Sequence, residues 1–257
     1  MDVSLEIVPR SEEALREGAA VGAAYPAITC INIPDLLRFP LRSWEACGLV
    51  DGRGRDLIPH LRARAFDPAA PFPLKALFEK AGIRKALVIA GDPLAGEAAS
   101  DGSPSINFIK KLKTEMPALE LYAAFDPYRT NIRFELDYLA AKEEAGAAGF
   151  MSQPFFDLRL LEIYAEYLEG KRVFWGIAPV LNAANRAYWE SRNRAIFPRS
   201  FRTDLAWNVD FGREVLAFCA AHNFNLYLMP IKVDLSAYLD GLFGGAQDDG
   251  RAAAAPA

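Results

Sequence analysis

The chain has 257 residues, 52% hydrophobic and 24% charged, with a formal net charge of −4. That supplies enough apolar material for one large core and gives no general attraction for phosphate backbones or anionic lipid, so neither nucleic acid nor a membrane is expected as a partner. Three widely spaced cysteines, Cys30, Cys47 and Cys219, contain no CxxC pair, which predicts neither a disulfide framework nor a zinc site and suits a cytoplasmic protein.

The amino terminus, "MDVSLEIVPRSEEALREG", carries charges throughout and lacks the apolar centre of a signal peptide, and no run of 18 uncharged apolar residues follows. Short apolar runs then recur at 4–8, 28–33, 56–63, 84–91, 120–125, 148–153, 172–179 and 225–231, each read as a strand. Between them lie helical patterns such as "SINFIKKLKTEM", "IRFELDYLAAKEEAGA", "LRLLEIYAEYLEG" and "DFGREVLAFCAAHN". The start of the first, "SPSINFIKK", reads equally as free N–H groups that meet a phosphate or as a cap by Ser103 or Ser105, and Asp210 is the expected cap of the last. Alternating strands and helices imply parallel pairing. Eight such units match an α/β (β/α)8 TIM barrel, a single domain over 1–244, with an open doubly wound sheet as the competing arrangement. The last residues, 245–257, lose apolar periodicity and are expected to form a disordered tail.

In such a barrel the chemistry sits at the carboxyl ends of the strands. There the sequence places Glu6, Asn32, His60, Asp92, Gln153 and Lys232. Each alone has a plain structural explanation as a turn residue, a cap or a satisfied core group; together they converge on one rim. "GDPLAGEAASDG" fits neither a phosphate loop nor a dinucleotide-binding turn. The arginine- and aromatic-rich stretch 186–202 reads as a solvated helix face, with Trp189 available to a ligand. Only His60 and His222 are present, so a metal-dependent mechanism has little material. Cys30 would be a nucleophile only if His60 reached it.

Several segments, "SLEIVP", "INIPD", "LIPHLRARAFD", "GIRKALVIAGDPL", "AAFDP", "LAAKEEAGAAGFMSQPFFD" and "GIAPVLN", occur in an order that resembles the methylenetetrahydrofolate reductases, flavoproteins on a (β/α)8 barrel. The resemblance covers about residues 3–240 and favours the short branch without a C-terminal regulatory domain. It implies FAD as cofactor, NADH or NADPH as co-substrate, and a tetrahydrofolate derivative interconverted between its methylene and methyl forms.

Carried onto this sequence, the resemblance makes Glu6 the general acid, Asp92 the partner of a cationic intermediate and Gln153 the group that meets both substrates. It places Asn32, His60, Gly91, Asp92, Phe125, Glu135 and Lys142 around the flavin, and Asn185, Trp189 and Lys232 near the folate. Ala90 stands where longer members have arginine, and Phe125 where they have tyrosine. Arg38 and Arg42, in "PDLLRFPLRS", either replace phosphate contacts or lie in solvent. Two further readings accompany the reductase: an enzyme oxidising methyl-folate with another electron carrier, and a flavin-free barrel that binds folate or a partner protein. A homo-oligomer or a partner subunit is compatible with each.

Overall fold

The computed structural model describes residues 1–52, 54–91 and 103–244. Its strands are β1 (Val3–Glu6), β2 (Cys30–Ile33), β3 (Asp56–Arg62), β4 (Lys85–Ile89), β5 (Glu120–Phe125), β6 (Gly149–Pro154), β7 (Val173–Ile177) and β8 (Asn225–Leu228). Each pairs in parallel with the next, and β8 returns to β1 with Val3, Ser4 and Leu5 opposite Leu226, Tyr227 and Leu228. That last pairing closes the barrel and excludes the open sheet.

The described helices are α1 (Glu12–Ala23), α2 (Ser43–Cys47), α3 (Lys75–Ala81), α4 (Pro104–Glu115), α5 (Ile132–Glu144), α6 (Leu158–Tyr167), α7 (Ala183–Arg192), α8 (Leu205–Ala221) and α9 (Leu235–Phe243). Most begin where the chain leaves the carboxyl end of a strand, and the turn residue there caps the helix. Ser11, Asn131, Asp157, Asn182, Asp204 and Asp234 accept the N–H of Ala14, Phe134, Arg159, Asn185, Trp207 and Ala237, satisfying donors the helix leaves unpaired.

Two expected caps are corrected. Helix α8 starts at Leu205 under Asp204, not at Asp210. Its added turn brings buried Asn208 against Val180, whose N–H and C=O both bond the Asn208 amide. Ser103 stands at the N-cap position of α4 but its side chain caps nothing; its hydroxyl and that of Ser105 bond the Tyr138 phenol on α5 instead. The expected tail lies outside the described residues.

Period-two alternation divides each strand between two cores. Leu5, Ile31, Leu61, Val88, Leu121, Phe125, Phe150, Trp175 and Leu228 face the helices. Cys30, Ile58, Leu87, Tyr122, Met151, Phe174, Tyr227 and Met229 fill the barrel. Around the barrel the register stacks the inward side chains in layers drawn from alternate strands. Ser4, Ile58, Tyr122 and Phe174 form one layer, with the rings of Tyr122 and Phe174 edge to face at 5.3 Å. Asn32, Leu87, Met151 and Tyr227 form the next, tied by an Asn32 amide bond to the Met151 sulfur at 3.2 Å. Above these come Glu6, His60, Ala124 and Gly176. The opposite, amino-terminal end is charged, with Asp56 2.8 Å from Lys85 and 3.0 Å from Arg84.

Candidate functional site

The layer of Glu6, His60, Ala124 and Gly176 is the floor of the barrel mouth. Glu6 and Ala124 keep partial exposure there, as do Ile89 and Gln153 just above, whereas Asn32, Met151 and Tyr227 beneath them are buried. Ala124 is small on this floor, and the Met229 methyl takes the space a side chain at Gly176 would need. A register shift between Met151 and Pro154, where the Ser152 hydroxyl accepts the Gly176 N–H at 2.7 Å, sits beside Gln153.

Glu6, the last residue of β1, receives a hydrogen bond from the Tyr227 phenol on β8. Burial pushes the Glu6 carboxyl up to about 7 despite the opposing pull of that bond, because a low-polarity surround penalises the carboxylate more than one donor helps it. Tyr227 is raised well above its ordinary value by burial and by Glu6, so it keeps its proton. His60 is also buried, which pulls its imidazole down to about 3 and keeps the ring neutral. Its Nε2 lies 2.5 Å from Asn32 Oδ1. Since the Asn32 amide nitrogen is spent on Met151, Oδ1 is the accepting end and His60 carries its proton on Nε2.

Gln153 is brought to this mouth, its Oε1 accepting from Asn193 at 3.4 Å. Gly91 lies at the rim, at φ +80 against the Arg62 side chain. Trp189 is buried, edge to face with Phe156 at 5.6 Å, so it packs under the β6 and β7 loops. Asn185 sits in the first turn of α7, and Lys232 is exposed in the β8–α9 turn at φ 56. Asp92 lies outside the described residues.

Three of the residues expected around a flavin, Phe125, Glu135 and Lys142, are engaged with the protein's own groups. Phe125 points into the outer core, edge to face with Trp175 at 5.9 Å. Glu135 accepts the Asp126 N–H at 3.1 Å, and Lys142 donates to the Ala124 carbonyl at 2.6 Å beneath the Tyr138 ring. Burial lowers Lys142 to about 8. Cys30 is not reached by His60; burial raises its thiol to about 11, and its sulfur meets only the Thr29 hydroxyl, at 3.6 Å. Among the described residues no group of three or more His, Cys, Asp or Glu is placed to hold a metal ion.

Two residues of the mouth were missed in the sequence, Tyr227 and Arg62. Both were legible in principle. Arg62 follows His60 by two positions in a buried strand and so shares its inward face, and Tyr227 alternates inward on the strand that closes against Glu6. Arg42, left open between an anion contact and solvent, pairs with the buried Asp35 and lies over the Trp44 ring at 5.3 Å.

The chain matches no family model and no curated protein. Solved structures share its architecture. Oxaloacetate acetylhydrolase aligns with a TM-score of 0.59 at 12% identity, over 96% of this chain and 79% of that one. A 2,3-dimethylmalate lyase, a PEP mutase/isocitrate lyase superfamily member, aligns at 0.53 and 12%, over 100% and 94%. A protein described as a deoxyribose-phosphate aldolase from Toxoplasma gondii aligns at 0.54 and 13%, over 95% and 93%. At these identities the likeness establishes the fold.

These neighbours are lyase, hydrolase and aldolase barrels, and they overturn the expected membership of the methylenetetrahydrofolate reductases. The folate-reducing activity falls with it, as do the methyl-folate oxidase and the flavin-free folate or partner-binding barrel. The physical reason lies in the segments that carried the resemblance. "SLEIVP", "ALVIAG" and "FMSQPFF" are buried parallel strands, the first and last with a polar residue at the carboxyl end, a pattern the (β/α)8 architecture itself demands.

Proposed function

We propose that the chain is an acid–base enzyme of the lyase or aldolase type, with Glu6 carrying the proton. The observation behind this reading is the state of Glu6: a carboxyl at the accessible floor of the mouth, held near half-ionisation at neutral pH by burial and fixed in place by Tyr227. A group so poised accepts and returns a proton with similar ease. The names of the similar barrels supply the reaction class as analogy.

The step that fits is cleavage of a carbon–carbon bond between a hydroxyl-bearing carbon and the carbon next to a carbonyl. The Glu6 carboxylate takes the hydroxyl proton, the oxygen's electrons form a new C=O, and the breaking C–C pair moves into the substrate's existing carbonyl as an enolate. Glu6, now protonated, delivers that proton to the enolate carbon. Atoms and electrons balance with no outside oxidant. Tyr227 stays protonated and orients the carboxyl, neutral His60 adds no competing charge, and Gln153 offers an uncharged amide to the substrate. The three described cysteines are free and buried, and no described helix is long and apolar enough to cross a membrane; a cytoplasmic site of action belongs to the same proposal.

The test follows 2,3-dimethylmalate, and oxaloacetate as the hydrate that carries the required hydroxyl, by proton NMR in deuterated buffer, watching for C–C cleavage and for deuterium beside the carbonyl. Glu6→Gln should lower either rate by about 100- to 10,000-fold. Equal rates in the wild type and Glu6→Gln would remove Glu6 from the chemistry.

A further inference from the structure

Among the described residues, Arg62 is a cation at the mouth that the acid–base step does not use. Arg62 ends β3 two residues beyond His60, on the same inward face and one layer nearer the solvent, and it is buried at 6% exposure. Among the described residues no hydrogen bond or ion pair engages its guanidinium. Its guanidinium nitrogens are not among the buried side-chain atoms left without a partner, so they open onto the mouth, where an anion can meet their donors.

The surrounding charges are already matched without it. Asp35 has its side chain fully enclosed and is paired with Arg42, and its second oxygen faces the Ser43 N–H at 3.5 Å. Asp126, at the end of β5, faces Arg129 at 3.8 Å and accepts the Tyr128 N–H at 3.0 Å. Burial pushes the Asp35 carboxyl above its ordinary range, against the pull of Arg42, of the Ser43 N–H and, more weakly, of Arg62. Among the described residues Asp35 thus feels two guanidinium groups, and its hydrogen-bonded pair is with Arg42.

The chain also makes room for this side chain. Gly91, just past β4, adopts φ +80, and a Cβ there would fall 3.1 Å from Arg62 Nε and 3.3 Å from Arg62 Cβ. A bare backbone at that point lets the guanidinium lie along the wall of the mouth.

We infer that Arg62 anchors a carboxylate of the substrate, so that the mouth takes a small carboxylic acid whose reacting end lies toward Glu6. The planar fork of arginine matches the two oxygens of a carboxylate. A single guanidinium among carboxyl groups suits a singly charged end better than a phosphate dianion, which would also meet Glu6, Asp35 and Asp126. The position of the reacting end rests on the acid–base reading of Glu6; the anion anchor itself does not.

The experiment is calorimetric titration of the whole chain with malonate, with its neutral analogue malonamide and with inorganic phosphate, at pH 6 and again at pH 8, where phosphate is a dianion. Wild type should bind malonate in clear preference to the other two. Arg62→Gln should weaken malonate by about tenfold or more, Arg62→Lys should recover part of the loss, and malonamide should respond to neither. Glu6→Gln should keep malonate binding while losing turnover, which separates failure of the anchor from failure of the proton-transfer reading. The inference is overturned if wild type does not bind malonate, shows no preference for it over malonamide or binds phosphate more tightly. Undiminished affinity in a folded Arg62→Gln overturns it too. The wild-type comparison stands even where that variant does not fold.

Discussion

The Tyr227 phenol on the last strand donates a hydrogen bond to the Glu6 carboxyl on the first, so the pairing that closes the barrel also builds the acidic group of its mouth. The bond favours the carboxylate while burial opposes it more strongly, and the balance sits at about 7. Removing the phenolic hydrogen in Tyr227→Phe takes away the stabilising side. The Glu6 carboxyl should then titrate above 7, which infrared difference spectra of its carboxyl stretch over pH would read directly. An unchanged midpoint would mean that the bond does not form in solution.

Glu6 and His60 bend the pH dependence of stability in opposite directions. Glu6 is raised from 4.5 to about 7 and His60 lowered from 6.5 to about 3, both by burial. With rising pH, stability from the neutral Glu6 is lost between the unfolded value of 4.5 and the folded value near 7. With falling pH, stability from the neutral His60 is lost between 6.5 and about 3. Where the windows overlap, the native pair holds its one proton on Glu6 and the unfolded pair holds it on His60. The proton counts agree, so this pair adds no slope there. Glu6→Gln should therefore gain stability from about pH 5 to about pH 6.5, and His60→Gln should lose it, each by an amount of the order of a few kcal/mol. Urea midpoints at those two pH values check both signs.

The barrel was legible because its signals repeat. Eight apolar runs separated by helical patterns leave few alternatives, and closure follows once β8 returns to β1. Glu6, His60 and Gln153 were legible as polar residues at strand ends, and the structure gathers them in one mouth. The bond from Tyr227 was not, since it depends on a register between residues 221 positions apart. Helix starts failed for a related reason: Asn208 belongs to α8 because it meets Val180, a contact no local window contains. The reductase resemblance failed because its segments double as the strands any such barrel needs.

Gly176 allows the floor of the mouth to pack. A Cβ at this position would fall 2.5 Å from the Met229 methyl and 2.6 Å from the Ser152 carbonyl. The side chain can move but the strand carbonyl cannot, so Gly176→Ala should destabilise the protein by about 1–3 kcal/mol. Met229→Ala on top of it should fail to restore the loss, because the Ser152 contact remains. Full rescue in thermal melts of the double variant would show that the side chain alone sets the limit.

Gly91 presents the same test with two separable parts. Its φ of +80 is strained for any residue with a Cβ, and the Cβ would also press on Arg62 at 3.1 Å. Gly91→Ala should therefore cost about 1–2 kcal/mol from the backbone alone, with a further increment from displacing the guanidinium. Shortening Arg62 to alanine removes only the second part. In a double-mutant cycle by urea denaturation, Gly91→Ala should be cheaper in the Arg62→Ala background than in the wild type, though still unfavourable. Equal costs in the two backgrounds would place the Arg62 side chain away from Gly91 in solution and weaken the case that the rim is shaped around it.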